Sequence, residues 1–160
     1  MSMLKLDTDT QVFFYEQDHY YLSNFSSFRL KWRDKDFDTS EHVYHWEKFD
    51  TQNFPGMEVQ RRIVFSRSAH EAFKIAEEYR ACRRAEWDTI RLNVMSNILR
   101  AKAQQHEYVR RKLIQTGECE LIENSWRDNY WGWGPNRDGQ NMLGKLWMEI
   151  RAELMAQRRA

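Results

Sequence analysis

Four reactive side chains, Glu41, Tyr44, His45 and Lys48, fall at positions i, i+3, i+4 and i+7 of a segment without a helix breaker. Residues at that spacing share one face of an α-helix. A carboxylate can act as a general acid or base, and a lysine amine acts as a nucleophile when it is neutral. The same spacing also fits an ordinary surface ion pair, and the helix dipole stabilises a carboxylate in the first turn whatever its role.

The helix that positions these residues is predicted to have Ser40 as its N-cap and to run from Glu41 to about Asp50. Its apolar side is expected to pack on the core, so that the side carrying the reactive groups faces a cleft or solvent. His42 and His45 lack a third ligand at a metal-like spacing. No metal site is therefore expected.

A small antiparallel β region is predicted before this helix. Strand-like segments are Val12–Tyr15, Tyr20–Leu22 and the alternating stretch Phe28–Trp32, which is followed by a turn at Asp34–Asp36. The run of small polar residues at Ser23–Ser27 is typical of a loop. Loops within such a region are common places for binding groups.

The rest of the chain is predicted to be mainly helical, which makes the fold class α+β. The longest periodic stripe runs from Trp87 to Lys102, and that helix is expected to be central to the core. The other predicted elements are a helix after Pro55-Gly56, a helix capped by Ser68 and reaching about Arg80, a helix from His106 to Gln115 ended by Gly117, a short strand at Leu121-Ile122, and a last helix through Leu143 and Leu154.

Composition indicates one domain over residues 1–160, with a core at about 12–155, because no linker-like stretch divides the 160 residues. The formal net charge of +1 gives no large field towards nucleic acid or membranes. No apolar run approaches the length that spans a bilayer, so a cytoplasmic protein is expected. Cys82 and Cys119 are read as reduced thiols.

A set of spaced motifs resembles the YbiA-like, or NADAR, family of N-glycosidases. The motifs follow the family's order over about residues 13–154. They are Phe14-Tyr15, Tyr21-Leu22-Ser23-Asn24-Phe25, Ser40-Glu41-His42-x-Tyr44 with Lys48-Phe49, Trp87-x-x-x-Arg91-x-x-x-Met95, Leu99-Arg100-Ala101-Lys102, Thr116-Gly117, Leu121-x-Glu123, Asp128-x-x-Trp131-Gly132-x-Gly134, Gly139-x-Asn141-x-Leu143-Gly144 and Met148-x-x-Arg151. Each motif alone is weak, but the ordered set is specific.

The resemblance implies cofactor-free hydrolysis of a bond between a ribose carbon and a nitrogen. Family members split phosphoribosylamino-pyrimidine intermediates of riboflavin synthesis and release ribose 5-phosphate. The predicted catalytic residues are Glu41, Lys48 and Asp128. A carboxylate would activate water and stabilise positive charge at the anomeric carbon. Alternatively, the Lys48 amine would attack that carbon and form an imine, which requires a buried lysine with a lowered pKa.

The same resemblance implies a set of substrate-binding residues. Glycines in the segment Asp128–Asn141 let backbone N–H groups approach oxygens closely, which suits a ribose phosphate, although the segment also fits an ordinary connection packed on the core. Arg151 is expected to bind a phosphate or to pair with Glu123. The full set is Ser23, Asn24, Phe25, Tyr44, Trp87, Glu123, Trp131, Gly132, Gly134, Asn141 and Arg151. Trp87 fits core packing at least as well.

Two other functions remain open from the sequence. Related family members remove ADP-ribose from guanine in nucleic acid, which would need a basic rim, and a charged stretch offers Arg61, Arg62, Arg67, Arg83 and Arg84. A non-catalytic module that binds ribose nucleotides is the other alternative. Family members often carry glutamine where this chain has Trp46 or Glu47. That departure bears on the substrate more than on the reaction class.

Overall fold

The structure, a computed structural model, describes residues 6–160. The predicted domain begins at Met1, which lies outside the described residues. The strands are β1 Gln11–Phe14, β2 Leu30–Trp32, β3 Lys35–Phe37 and β4 Glu120–Glu123. The helices are α1 Ser40–Glu47, α2 Gly56–Val64, α3 Ala69–Glu78, α4 Trp87–Gln105, α5 Glu107–Gln115 and α6 Met142–Arg159. The α+β, mostly helical prediction is confirmed. Within residues 6–160, no helix is both long and apolar enough to cross a membrane.

The described chain groups into two compact units. One unit combines the residues up to Ser23 with His106–Ala160, and the other is Asn24–Gln105. In the first unit, β1 pairs with β4 in parallel, with Val12 opposite Leu121. The prediction of an antiparallel partner for the first strand is therefore wrong. The partner of β1 is more than a hundred residues away in the sequence. Local sequence patterns carry no information about so distant a pairing.

The segment Tyr20–Leu22 forms a 3₁₀ turn rather than the predicted strand. Tyr21 and Leu22 are both buried. In a strand, consecutive side chains would point to opposite faces. His19, with φ 48°, starts the turn in the left-handed region, and the indole N–H of Trp147 donates to the carbonyl of Leu22 at 2.9 Å. A tertiary contact thus holds the turn, although its residue types favour a strand.

Helix α6 packs on β4 through the predicted stripe. Leu143, Leu146, Trp147 and Ile150 are all buried. The approach is so close at Gly144 that a Cβ there would lie 2.0 Å from the Leu121 carbonyl oxygen. Helix α5 ends as predicted, with Gly117 just beyond it at φ +59°.

In the second unit, β2 and β3 form an antiparallel hairpin, of which the sequence predicts the first strand and a turn but not β3. The two residues between the strands are Arg33 and Asp34, with φ of 47° and 63°. Two consecutive positive φ values are typical of a type I′ hairpin turn. The turn is therefore one residue earlier than predicted, and Lys35 begins β3.

Helix α1 is the centre of this unit and packs against α2, α3 and α4. All of its residues except Glu41 are buried. The side of α1 that carries the reactive groups was predicted to face a cleft or solvent, and this prediction is wrong for most of that side. Helices α2, α3 and α4 pack around α1 and bury it. The N-cap is Thr39, whose hydroxyl accepts the His42 N–H, and the helix ends at Glu47 with Lys48 as its C-cap. The predicted N-cap, Ser40, is therefore one residue too late, and the predicted end, about Asp50, is also too late.

Candidate active site

Glu41 and His45 form a hydrogen-bonded pair on α1. The imidazole Nε2 lies 2.7 Å from the Glu41 Oε1. Since an ionised carboxylate only accepts hydrogen bonds, Nε2 is the donor. The His45 side chain is 2% exposed and that of Glu41 is 12% exposed. Burial, the largest cause, lowers the pKa of His45. A neutral His45 therefore holds one oxygen of a carboxylate that keeps limited contact with solvent.

Lys48 lies at the end of the same helix, and its side chain is also buried. Burial lowers its pKa to about 8, and the negative charge of Glu41 opposes that shift. The ammonium nitrogen lies 5.0 Å from the centre of the Tyr44 ring. The predicted face thus places a carboxylate, an imidazole and an amine together. Such a lysine is partly neutral near physiological pH, which nucleophilic chemistry requires.

Aromatic rings enclose this cluster. Tyr44 packs against Trp87 with ring centres 5.2 Å apart, and His45 packs against Phe73 at 5.7 Å. Trp87 is only 2% exposed, whereas Phe73 is 40% exposed. Trp87 therefore has the environment of a core residue, in keeping with its place on the α4 stripe. Exclusion of water by these rings strengthens the electrostatic interactions among the buried groups.

Asn24 and Phe25 belong to the same unit and precede the β2–β3 hairpin. The Asn24 carbonyl accepts the Glu41 backbone N–H at 3.0 Å, and the Asn24 Oδ1 accepts the Ser40 hydroxyl at 3.0 Å. Asn24 therefore fixes the first turn of α1, which carries Glu41. The Phe25 ring is 41% exposed.

The third predicted catalytic residue, Asp128, belongs to the other unit. Its Oδ1 accepts the backbone N–H groups of Tyr130 and Trp131 at 2.9 and 2.8 Å. These bonds close a turn of the kind that aspartate often stabilises. Trp131 is half-buried, and its ring contacts that of Tyr130 edge-on at 4.8 Å. In this structure the Asp128 carboxylate therefore stabilises the turn in its own loop.

The glycines of this loop are required by tight packing. A Cβ on Gly132 would lie 2.9 Å from the Glu123 carbonyl oxygen, and Gly134 has φ +74°. The Gly134 N–H donates to the Ser125 carbonyl at 3.0 Å. This N–H is thus used inside the loop, whereas the glycine pattern predicts that such groups face a phosphate.

Asn141 joins the loop to β4 and α6. Its amide Oδ1 accepts the Glu123 N–H, and its Nδ2 donates to the Leu121 carbonyl, both at 2.9 Å. Its φ of 51° is in the left-handed region, which asparagine adopts more readily than most residues. Both ends of the amide therefore bind the β4 backbone.

Ser23 and Arg151 complete the predicted set in this unit. Both are buried. The Ser23 N–H donates to the Tyr20 carbonyl at 2.9 Å and closes the 3₁₀ turn. The Arg151 guanidinium donates to the Thr116 hydroxyl at 2.8 Å, which ties α6 to the end of α5.

Two buried residues with functional environments were not among the predicted site residues. The sequence places His45 on the reactive face of α1 and gives it no metal, and its i+4 spacing from Glu41 is a usable signal for a hydrogen-bonded pair. Lys102 is fully buried on α4, its amine donates to the Ser26 hydroxyl at 2.9 Å, and burial lowers its pKa to about 7. Lys102 belongs to the motif Leu99-Arg100-Ala101-Lys102. Helical periodicity alone, however, predicts a lysine at that position to lie at the edge of the apolar stripe of α4.

Glu47 explains the departure from glutamine noted in the sequence. Its buried carboxylate accepts hydrogen bonds from the Trp32 indole and from Arg33 at 2.6 Å each, and Arg84 lies 3.4 Å away. A negative charge at this position therefore matches two arginines. These contacts join the hairpin to α1 and give Glu47 a structural function.

Comparison with known proteins gives the chain a family. Residues 13–155 match the NADAR domain. The N-glycosidase YbiA of Escherichia coli (strain K12) is 34% identical over 148 residues, covering 91% of this chain and 89% of that protein. An N-glycosidase of Nostoc punctiforme is 31% identical over 149 residues, covering 89% of this chain and 92% of the relative.

A riboflavin biosynthesis protein of Vibrio vulnificus is 34% identical over 145 residues. This chain spans only 38% of its length. The NMR structure of E. coli YbiA superposes with a TM-score of 0.82 at 30% identity, covering 98% of this chain and 92% of that one. The names of the full-length relatives agree with the predicted class of enzyme, a hydrolase of N-glycosyl bonds. By sequence and by fold, the chain belongs to the NADAR domain family.

Proposed function

We propose that this protein is an N-glycosidase that hydrolyses the ribose C–N bond of a phosphoribosylamino-pyrimidine intermediate of riboflavin biosynthesis and releases ribose 5-phosphate. The observation that carries the proposal is the cluster of Glu41, His45 and Lys48, which combines an oriented carboxylate with a buried, partly neutral amine. The names of the relatives, N-glycosidase and riboflavin biosynthesis protein, support the class of bond and the class of substrate.

In the carboxylate mechanism, Glu41 accepts a proton from water as the water oxygen bonds to the anomeric carbon. The C–N bond breaks at the same centre, and its electron pair leaves with the nitrogen, which takes up a proton. The Glu41 charge also stabilises the oxocarbenium-like transition state. His45 keeps one carboxylate oxygen bonded, so that the other is the oxygen available for this chemistry.

In the amine mechanism, the neutral Lys48 nitrogen bonds to the anomeric carbon as the C–N bond to the pyrimidine breaks, and the departing nitrogen takes up the proton that the lysine nitrogen loses. The sugar ring opens to an imine, water adds to that carbon, and the lysine nitrogen leaves as the free amine. With a pKa of about 8, about a quarter of Lys48 would be neutral at pH 7.5, against roughly one in a thousand for an ordinary lysine. The lowered pKa therefore raises the fraction of Lys48 in the reactive, neutral form more than a hundredfold.

The decisive experiment measures release of ribose 5-phosphate from the riboflavin-pathway intermediate by wild type, Glu41→Gln and Lys48→Met. Matched controls are Glu58→Gln and Lys74→Met, because the Glu58 side chain is 42% exposed on α2 and Lys74 is exposed on α3. We expect turnover to fall about 100-fold or more in a site variant and to be unchanged in a control. Reduction with borohydride during turnover should add the mass of the sugar to Lys48 only if the amine mechanism operates.

Other results would redirect the assignment. Turnover of ADP-ribosylated guanosine DNA instead of the pyrimidine substrate would replace the proposed substrate and keep the reaction class. Saturable binding of ribose phosphates without any release would make the protein a binding module and overturn the enzymatic proposal. Since a phosphorylated intermediate does not cross a bilayer unaided, this function requires a cytoplasmic protein, in keeping with the expectation from the sequence.

A further inference from the structure

The segment before α4 brings three arginines to the Lys48 end of α1. The Arg84 N–H donates to the Lys48 carbonyl at 2.8 Å, and the Arg83 N–H donates to the Arg80 carbonyl at 3.3 Å. The side-chain charges of Arg80 and Arg83 both act on the Lys48 amine. The candidate site is therefore bordered by positive charge on this side.

Two of these arginines have carboxylate partners within the unit. Arg80 lies 3.4 Å from Glu77, and Arg84 lies 3.4 Å from the buried Glu47. Arg83 differs, since its one ion pair among the described residues is with Asp88 at 4.0 Å. The Arg83 side chain is 22% exposed, while that of Asp88 is 76% exposed and well hydrated. The guanidinium of Arg83 is thus the poorly compensated charge of the group.

A guanidinium that is largely removed from water loses hydration, and hydrogen bonds to acceptor oxygens, most strongly those of an anion, compensate that loss. A solvated carboxylate at 4.0 Å gives little of that compensation. The electrostatics around Arg83 therefore favour an anion from outside the chain. The planar fork of five N–H donors matches phosphate oxygens in a bidentate way, which a lysine cannot do.

We propose that Arg83 binds the 5-phosphate of the ribosyl substrate and thereby sets the orientation of the sugar at Lys48 and Glu41. The inference rests on the proposed function, in which carbon one of the ribose reacts at those residues. The phosphate is on carbon five of the same sugar, so its binding group has to be a neighbour of the reacting groups. Arg83 meets that requirement through the backbone contact between Arg84 and Lys48.

The test measures binding of ribose 5-phosphate, inorganic phosphate and unphosphorylated ribose by calorimetry to wild type, Arg83→Gln and Arg83→Lys. Loss of a charged hydrogen-bonded pair should weaken ribose 5-phosphate on the order of 10- to 100-fold in Arg83→Gln. Arg83→Lys keeps the charge and should fall between the two. Arg67→Gln, on the exposed segment before α3, is the matched control and should bind like wild type.

Equal affinity for ribose 5-phosphate in wild type and Arg83→Gln would overturn the inference, and so would wild type that binds neither phosphate ligand. If Arg83→Gln fails to fold by circular dichroism, Arg83→Lys decides: unchanged affinity and an unchanged preference over ribose would count against bidentate recognition.

Turnover separates this inference from the proposed function. A wild-type protein that binds ribose 5-phosphate through Arg83 but releases none from the pyrimidine substrate would refute the function and leave the phosphate site standing. Conversely, active protein in which Arg83→Gln has the same KM for phosphorylated and dephosphorylated substrate would refute the phosphate site alone. We expect the KM of the phosphorylated substrate to rise at least 10-fold in Arg83→Gln, with a smaller change for the dephosphorylated one.

Discussion

Replacing Lys48 by methionine should stabilise the protein at neutral pH. Methionine keeps most of the apolar stem and removes a charge that is almost fully buried. The fall in pKa from 10.5 to about 8 corresponds to a penalty of about 3 kcal/mol for holding the ammonium in the folded state. The pKa of about 8 already includes the attraction of Glu41, so we expect a gain of about 3 kcal/mol, or roughly 6–12 °C in Tm for a chain of this size.

The pH dependence of the unfolding free energy distinguishes burial of the Lys48 charge from other causes of stabilisation. Because the pKa of Lys48 is lower in the folded than in the unfolded chain, the unfolded chain binds more protons between about pH 8 and 10.5. The unfolding free energy of wild type therefore gains from this group as the pH rises through that window. The advantage of Lys48→Met should be complete below about pH 8 and should disappear near pH 10.5.

Urea unfolding of wild type and Lys48→Met at pH 7, 8, 9 and 10 measures this difference, with Lys74→Met as the control for an exposed lysine. Comparing variant with wild type also removes the contribution of Lys102, whose pKa is lowered too. A variant that is less stable than wild type at pH 7, or more stable by the same amount at every pH, would refute the burial argument. The same variant should lose N-glycosidase turnover if the amine mechanism operates.

The remaining predictions concern one hydrogen bond and one close contact. The His45 ring should be protonated at Nε2 and bare at Nδ1, because Nε2 donates to Glu41, and ¹⁵N NMR of the ring would contradict this if Nδ1 carried the proton. His45→Gln keeps a donor and should retain more kcat than His45→Leu, at similar KM. Gly144→Ala should cost about 3 kcal/mol or more, since the new Cβ would meet the Leu121 carbonyl at 2.0 Å. Gly117→Ala, with no atom within 4 Å of its Cβ but φ +59°, should cost only about 1 kcal/mol, and equal losses in a urea titration would rule out the contact as the cause.

Elements with strong local signals were predictable from the sequence. The Ser68 hydroxyl accepts the Glu71 N–H at 3.0 Å, as the capping pattern predicts. Gly117 ends α5, and the apolar stripe of α6 is buried where the periodicity places it. Each of these features depends on residues within about one helical turn or on one repeating period, and such information is written in the local sequence.

The predictions that were wrong concern segments whose conformation depends on residues far away in the sequence. The parallel pairing of β1 with β4 joins segments at opposite ends of the chain. The Tyr20–Leu22 segment has strand-like residue types, but the Trp147 indole holds it as a 3₁₀ turn. Tertiary contacts of this kind override local propensity, which differs between conformations by fractions of a kcal/mol per residue.

For the candidate site, the sequence by itself determined which groups share a face, because the spacing of Glu41, His45 and Lys48 on one helix follows from 3.6 residues per turn. Only the tertiary structure decided what those groups can do. Packing of α2, α3 and α4 around α1 removes Lys48 from water and lowers its pKa. It also leaves Arg83 half-buried beside the site. Solvation of a charge depends on all the atoms around it, and no local pattern in the chain records that environment.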